Sequence, residues 1–90
     1  MIRALIIDDE PRARESLAAI LKKFFPEVEI AGEAVGVNDA FEKIKELSPN
    51  LVFLDIKMPD GSGFDLLKKF QKTNFKTIFK IGRASCRERV

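Results

Sequence analysis

The stretch LVFLDIKMPDGSG, residues 51–63, decides the fold. Leu51, Val52, Phe53 and Leu54 form an apolar run with no polar interruption, too short for a lone helix, and predict a strand buried on both faces. Asp55 ends that run. A carboxylate just past an apolar strand stands in the crevice where open α/β sheets bind ligands, beyond the carboxyl ends of the strands. Pro59, Gly61 and Gly63 then predict a loop rather than more strand.

Working outward, Ala4 to Ile7 is a second uninterrupted apolar run, hence a second central strand, and it ends at Asp8, Asp9 and Glu10. From Pro11 the period becomes helical, with Ala13, Leu17, Ile20, Leu21 and Phe24 on one stripe. Pro11 suits a first turn and Asp9 an N-cap, while Pro26 closes the helix. Val28-Glu29-Ile30 alternates before Gly32, as a strand at a sheet edge does. A second helix is expected over 37–47, with Asn38 or Asp39 near its start and Ala40, Phe41, Ile44 and Leu47 inward; Ser48-Pro49-Asn50 forms the return loop. Phe64, Leu67 and Phe70 mark a third helix, whose positive end Asp65 favours. Thr77-Ile78-Phe79 begins a fourth strand. Strands and helices thus alternate, which predicts an α/β fold with a doubly wound parallel sheet, right-handed crossovers and helices on both faces.

With 90 residues, one small domain is expected, close to the lower size at which a single core stabilises itself. The absence of histidine excludes imidazole chemistry and histidine-ligated metals. No apolar run approaches the roughly 20 residues of a membrane span. The start, MIRALII, lacks the pattern of a secretory signal, so a cytoplasmic location is expected. The formal charge of +2 arises wholly in residues 81–90, IGRASCRERV, where three arginines face one glutamate; the first eighty residues carry thirteen basic and thirteen acidic side chains. A neutral body argues against direct nucleic-acid binding. The only cysteine, Cys86, lies in the same stretch, leaving the body without thiol chemistry, a disulfide or a zinc site.

Those ten residues are also what ATC GGA AGA GCG TCG TGT AGG GAA AGA GTG would encode, the read-through of a common short-read sequencing adapter, in which case Lys80 would straddle the junction. They are expected to be a non-native tail following a domain at 1–80. A natural basic tail is the other reading, and the source DNA separates the two.

The chemistry follows from the acids. If the two central strands are neighbours, Asp8, Asp9 and Asp55 converge on one crevice, and three anions so close repel unless a divalent cation lies among them. Oxygen-only donors suit Mg²⁺, which takes one or two carboxylates together with phosphate oxygens. A carboxylate such as Asp55, set in line with a metal-bridged phosphoryl donor, can form an aspartyl phosphate. Each residue also has a plainer role: Asp8, Asp9 and Glu10 as helix-start acids, Asp55 as a turn former, Lys57 as a solvated side chain. The glycines read as turn chemistry, since there is no P-loop or dinucleotide fingerprint.

The stretches ALIIDDEPRARESL and LVFLDIKMPDGSGFDLL, taken together, closely resemble the receiver domain of two-component response regulators, particularly those whose output is a LytTR-type DNA-binding domain. The resemblance implies that Asp55 is the phosphoacceptor and Asp9 a direct Mg²⁺ ligand. Asp8 would be a second acidic-pocket residue acting directly or through water, and Lys57 would supply its main-chain carbonyl to the metal. It further implies a sensor histidine kinase or small acyl phosphates as phosphoryl donors and an output domain as the controlled partner, with homodimerisation left open. A full receiver has five strands and five helices, so a flavodoxin-like receiver fold truncated in strand four is expected. The family's switch Ser/Thr would fall at Ile81 and the small residue after it at Gly82. Thr77 lies too early to serve, and the pairing lysine of strand five has no counterpart. The metal pocket is expected without transmission of the signal, and loss of several hundred Å² of apolar burial, several kcal/mol at about 25 cal/mol per Å², would leave the fragment marginally stable. A non-phosphorylated interaction module on the same fold is the alternative. Phosphatase-type catalysis is disfavoured because Lys57, two residues after Asp55, is no general acid, so the chain is not read as an enzyme.

Overall fold

The computed structural model describes residues 2–58, 60–70 and 74–80. The expectations about Pro59, the tail at 81–90 and the switch positions 81 and 82 lie outside the described residues.

Strand β1 (Ile2–Ile7) is the hub of the sheet. Ala4 to Ile7 are fully buried, and a strand with that composition is stable only if both of its faces and both of its edges are covered. Helix α1 (Pro11–Phe24) carries the chain to β2 (Val28–Ala34), which pairs parallel with β1 on one side. Helix α2 (Val37–Leu47) then crosses back to β3 (Leu51–Asp55), parallel to β1 on the other side. A two-stranded antiparallel hairpin, β4 (Lys57–Met58) and β5 (Gly61–Ser62), leads into α3 (Gly63–Lys68), and β6 (Lys76–Lys80) pairs parallel with β3. The main sheet has the order β2-β1-β3-β6.

Alternate residues of the central strands serve opposite faces. Leu5, Ile7, Val52 and Leu54 pack with Ala40, Ile44 and Leu66 under α2 and α3, while Ala4, Ile6 and Phe53 pack with Leu21 under α1. The sheet is therefore wound on both faces, as the alternation of elements predicted. Helix α2 is further joined to the segment just past α3 through aromatic rings, with Phe41 and Phe70 at 5.1 Å between centroids.

Several local expectations need correction. The N-cap of α1 is Glu10, not Asp9, and it makes no side-chain cap bond. Ile20 and Phe24 of the predicted stripe are 47% and 63% exposed, because among the described residues α1 alone covers its face of the sheet. Strand β2 runs through Gly32 rather than stopping before it, since a Cβ there would approach Leu47 Cδ1 to 2.8 Å and the bare backbone gives Leu47 its place. Helix α2, by contrast, spans Val37–Leu47 as expected, with Asp39 in its first turn and Gly36 as its N-cap. The segment after Asp55 is a hairpin rather than a plain loop, closed by Gly61 at φ 147°, a conformation that favours glycine. In α3 the buried residue is Leu66, while Phe64 is exposed; Ser62 and Asp65 form a capping box that sets the start of the helix. Among the described residues β2 and β6 are the two edges of the sheet, β2 as expected, and on β6 Ile78 is 46% exposed. No helix among the described residues is long and apolar enough to cross a membrane.

Candidate metal centre

The register Ile7↔Leu54 between β1 and β3 sets the next residues of each strand, Asp8 and Asp55, side by side at the carboxyl end of the sheet. This is also the point where the strand order turns back, with β2 to one side of β1 and β3 to the other, and open α/β sheets bind ligands at such a point.

Asp8 is 5% exposed. Its amide donates to the Ala34 carbonyl at 3.0 Å, and its Oδ1 accepts from the Glu10 amide at 2.9 Å, which bends the chain from β1 toward α1. That turn exposes Asp9. Arg14 stitches the turn to β2: its Nη1 donates to the Asp8 carbonyl at 2.7 Å and its Nε to Glu33 Oε1 at 2.9 Å. Asp55, half-buried, closes β3. One carboxylate oxygen from each of Asp8, Asp9 and Asp55 lies within 4.8 Å of the others. The convergence expected from sequence is therefore present. Two carboxylates at that separation repel by about 3 kcal/mol at an effective dielectric constant of about 20, less where water screens Asp9. A divalent cation would remove that repulsion, and the hard, all-oxygen donor set fits Mg²⁺.

Beyond Asp55 the chain turns back at once. The Gly63 amide donates to the Ile56 carbonyl at 2.9 Å, and a Cβ at Gly63 would come within 2.8 Å of the Asp55 carbonyl oxygen, so only glycine permits this approach. The backbone of Lys57, two residues from Asp55, is held opposite Ser62 in the hairpin.

Sequence reasoning missed three residues here. Arg14 and Glu33 form the clamp just described. Asp60, in the turn of the hairpin, reaches α2: its Oδ1 accepts from the Val37 amide at 2.8 Å and its Oδ2 from the Asn38 amide at 3.1 Å. The Pro-Asp-Gly triplet signalled a turn but not the distant helix. These two donors hold the Asp60 carboxyl below the ordinary aspartate range, with a smaller pull from the Lys69 ammonium. A carboxyl depressed on folding contributes stability above its unfolded value, about 3.9, and loses it as pH falls through the folded value. The stability difference between the native chain and Asp60→Asn is therefore expected to be constant near neutrality and to shrink below about pH 4. Denaturant unfolding of both proteins across that range checks it; a difference that grows on acidification would contradict it.

Comparison with known families matches "Response regulator receiver domain" over residues 4–84, ending inside the stretch 81–90. The chain is 42% identical over 72 residues to the sensory transduction protein LytT of Bacillus subtilis, covering 80% of this chain and 30% of that protein. It is 40% identical over 72 residues to a protein-glutamate methylesterase/protein-glutamine glutaminase of Agrobacterium fabrum, of which it covers 20%. The crystal structure of the response regulator domain of Thermotoga maritima CheB superposes with a TM-score of 0.80 at 31% identity, covering 98% of this chain and 69% of that one. The chain thus spans under a third of these two full-length relatives. Family match, parallel sheet and acidic crevice agree, and the chain belongs to the response regulator receiver domains of two-component systems.

Proposed function

We propose that this chain is the phosphoacceptor part of a response regulator, taking a phosphoryl group on Asp55 from a sensor histidine kinase and controlling an output domain in a longer protein. The observation that carries the reading is the approach of the Asp8, Asp9 and Asp55 carboxylates to within 4.8 Å at the turning point of the sheet. Asp8, Asp9, Asp55 and the Lys57 main-chain carbonyl would hold Mg²⁺, which, when bound, neutralises charge on the phosphoryl oxygens. An Asp55 carboxylate oxygen forms the new bond to phosphorus as the bond from phosphorus to the donor breaks. The donor, an imidazole nitrogen of the kinase or an acyl oxygen, leaves with the electron pair. Asp8, buried and pinned by the Glu10 amide, keeps the crevice acidic while Asp9 meets solvent. Likeness to the sensory transduction protein LytT supports a signalling role; a LytTR-type DNA-binding output and a cytoplasmic setting belong to the same reading through the resemblance of the two motifs.

Incubation with acetyl phosphate tests the reading. With Mg²⁺, intact-mass spectrometry is expected to show addition of one HPO₃, localised by peptide mapping of the borohydride-reduced protein to Asp55; with EDTA in place of Mg²⁺, none. A protein that stays unmodified in Mg²⁺, or is labelled elsewhere, overturns the assignment and favours the non-phosphorylated interaction module.

A further inference from the structure

Helix α2 has no N-terminal cap of its own. Gly36 occupies that position and offers no side chain, so the free amides of Val37 and Asn38 would face solvent without another acceptor. The acceptor is Asp60, more than twenty positions further along, and both of its carboxylate oxygens are engaged. The fit is close from the helix side too: a Cβ on Gly36 would stand 2.8 Å from Asp60 Oδ1. On its other side Asp60 belongs to the turn between β4 and β5, the hairpin whose first strand contains Lys57 and whose base is pressed against the Asp55 carbonyl at Gly63.

We propose that Asp60 is a positioning residue that couples the first turn of α2 to the loop of the metal centre, so that cation binding and order at Val37 and Asn38 strengthen each other. The proposal rests on the Mg²⁺ reading above. Coupling of this kind is reciprocal: if fixing the helix turn favours the loop geometry that binds the cation, the cation favours the fixed turn. An ordinary cap, by contrast, would stabilise α2 and leave metal affinity alone.

Two-dimensional amide NMR of the chain titrated with Mg²⁺ separates the two. In the native sequence, shifts are expected at Asp9 and Lys57 and also at Val37 and Asn38, with slower hydrogen exchange at the latter pair once Mg²⁺ is bound. Asp60→Ala is expected to weaken Mg²⁺ binding about tenfold, the scale typical of groups that orient metal ligands. Gly36→Ala crowds the same carboxylate without altering any loop residue and is expected to act in the same direction. Asp60→Asn, which keeps one carbonyl acceptor, should fall between Asp60→Ala and the native chain, and it carries the test together with Gly36→Ala if Asp60→Ala fails to fold. Native Mg²⁺ affinity in variants whose Val37 and Asn38 exchange freely would overturn the coupling and leave Asp60 a cap. A native chain that gives no Mg²⁺-dependent shift anywhere would instead overturn the metal reading, and this inference with it.

Discussion

Asp55→Ala is expected to reduce Mg²⁺-dependent phosphoryl incorporation from acetyl phosphate to background, a loss of several orders of magnitude, while far-UV circular dichroism stays native. The chemical loss follows from position. Asp55 is the carboxylate that ends β3, whereas Asp8 and Asp9 hang from β1, and Asp8 Oδ1 is already bonded to the Glu10 amide. Neither neighbour stands where Asp55 stands, so removal of the proposed nucleophile is expected to leave no substitute. The fold should survive because Asp55 is only half-buried at a strand end, and its loss relieves repulsion within the acidic cluster. Incorporation that persists in a folded Asp55→Ala protein would show that phosphate goes elsewhere.

One residue earlier in the strand, the expected effect is the reverse. Leu54→Ala should lower stability by about 2–5 kcal/mol, a large part of the roughly 5–15 kcal/mol that holds a small domain together. Leu54 is fully buried in the core under α2 and α3, and its side chain also lies where a Cβ on Gly63 would touch it at 2.9 Å. Its removal opens a cavity beneath the loop that follows Asp55. Phe24→Ala, which removes a larger but mostly exposed side chain on α1, should change stability by no more than about 0.5 kcal/mol. Urea unfolding followed by circular dichroism compares the two, since the chain has neither Trp nor Tyr for fluorescence. Equal losses in both variants would mean that burial near Leu54 does not dominate.

The central strands were legible because burial on both faces leaves no room for polar residues, and runs such as Ala4 to Ile7 and Leu51 to Leu54 state that directly. Once those strands are neighbours, register alone brings Asp8, Asp9 and Asp55 together. Periodicity failed where it was asked a different question. It shows that Ile20 and Phe24 share a side of α1 with Leu21, but not how far the covered part of that side extends. In α3 the capping box and the tight approach at Gly63 set the rotation of the helix, and Leu66 rather than Phe64 turns inward. Gly32 resembled a strand end because its use, making space for Leu47, depends on a residue fifteen positions away. Asp60 was missed for the same reason: its two partners belong to another element, and local pattern carries no trace of them.

The borrowed cap also bears on the order of assembly. Most helices carry their start signal in the residues beside it, so their first turn can form while the rest of the chain is still unstructured. Helix α2 waits for a group 23 residues downstream of Val37. Closing that loop costs entropy before the two amide bonds return any energy, so the Asp60 contacts at the start of α2 are expected to form after β3 has docked on β1 and the hairpin has turned. In the folding of this chain, the full bonding of the beginning of its second helix is expected to come late.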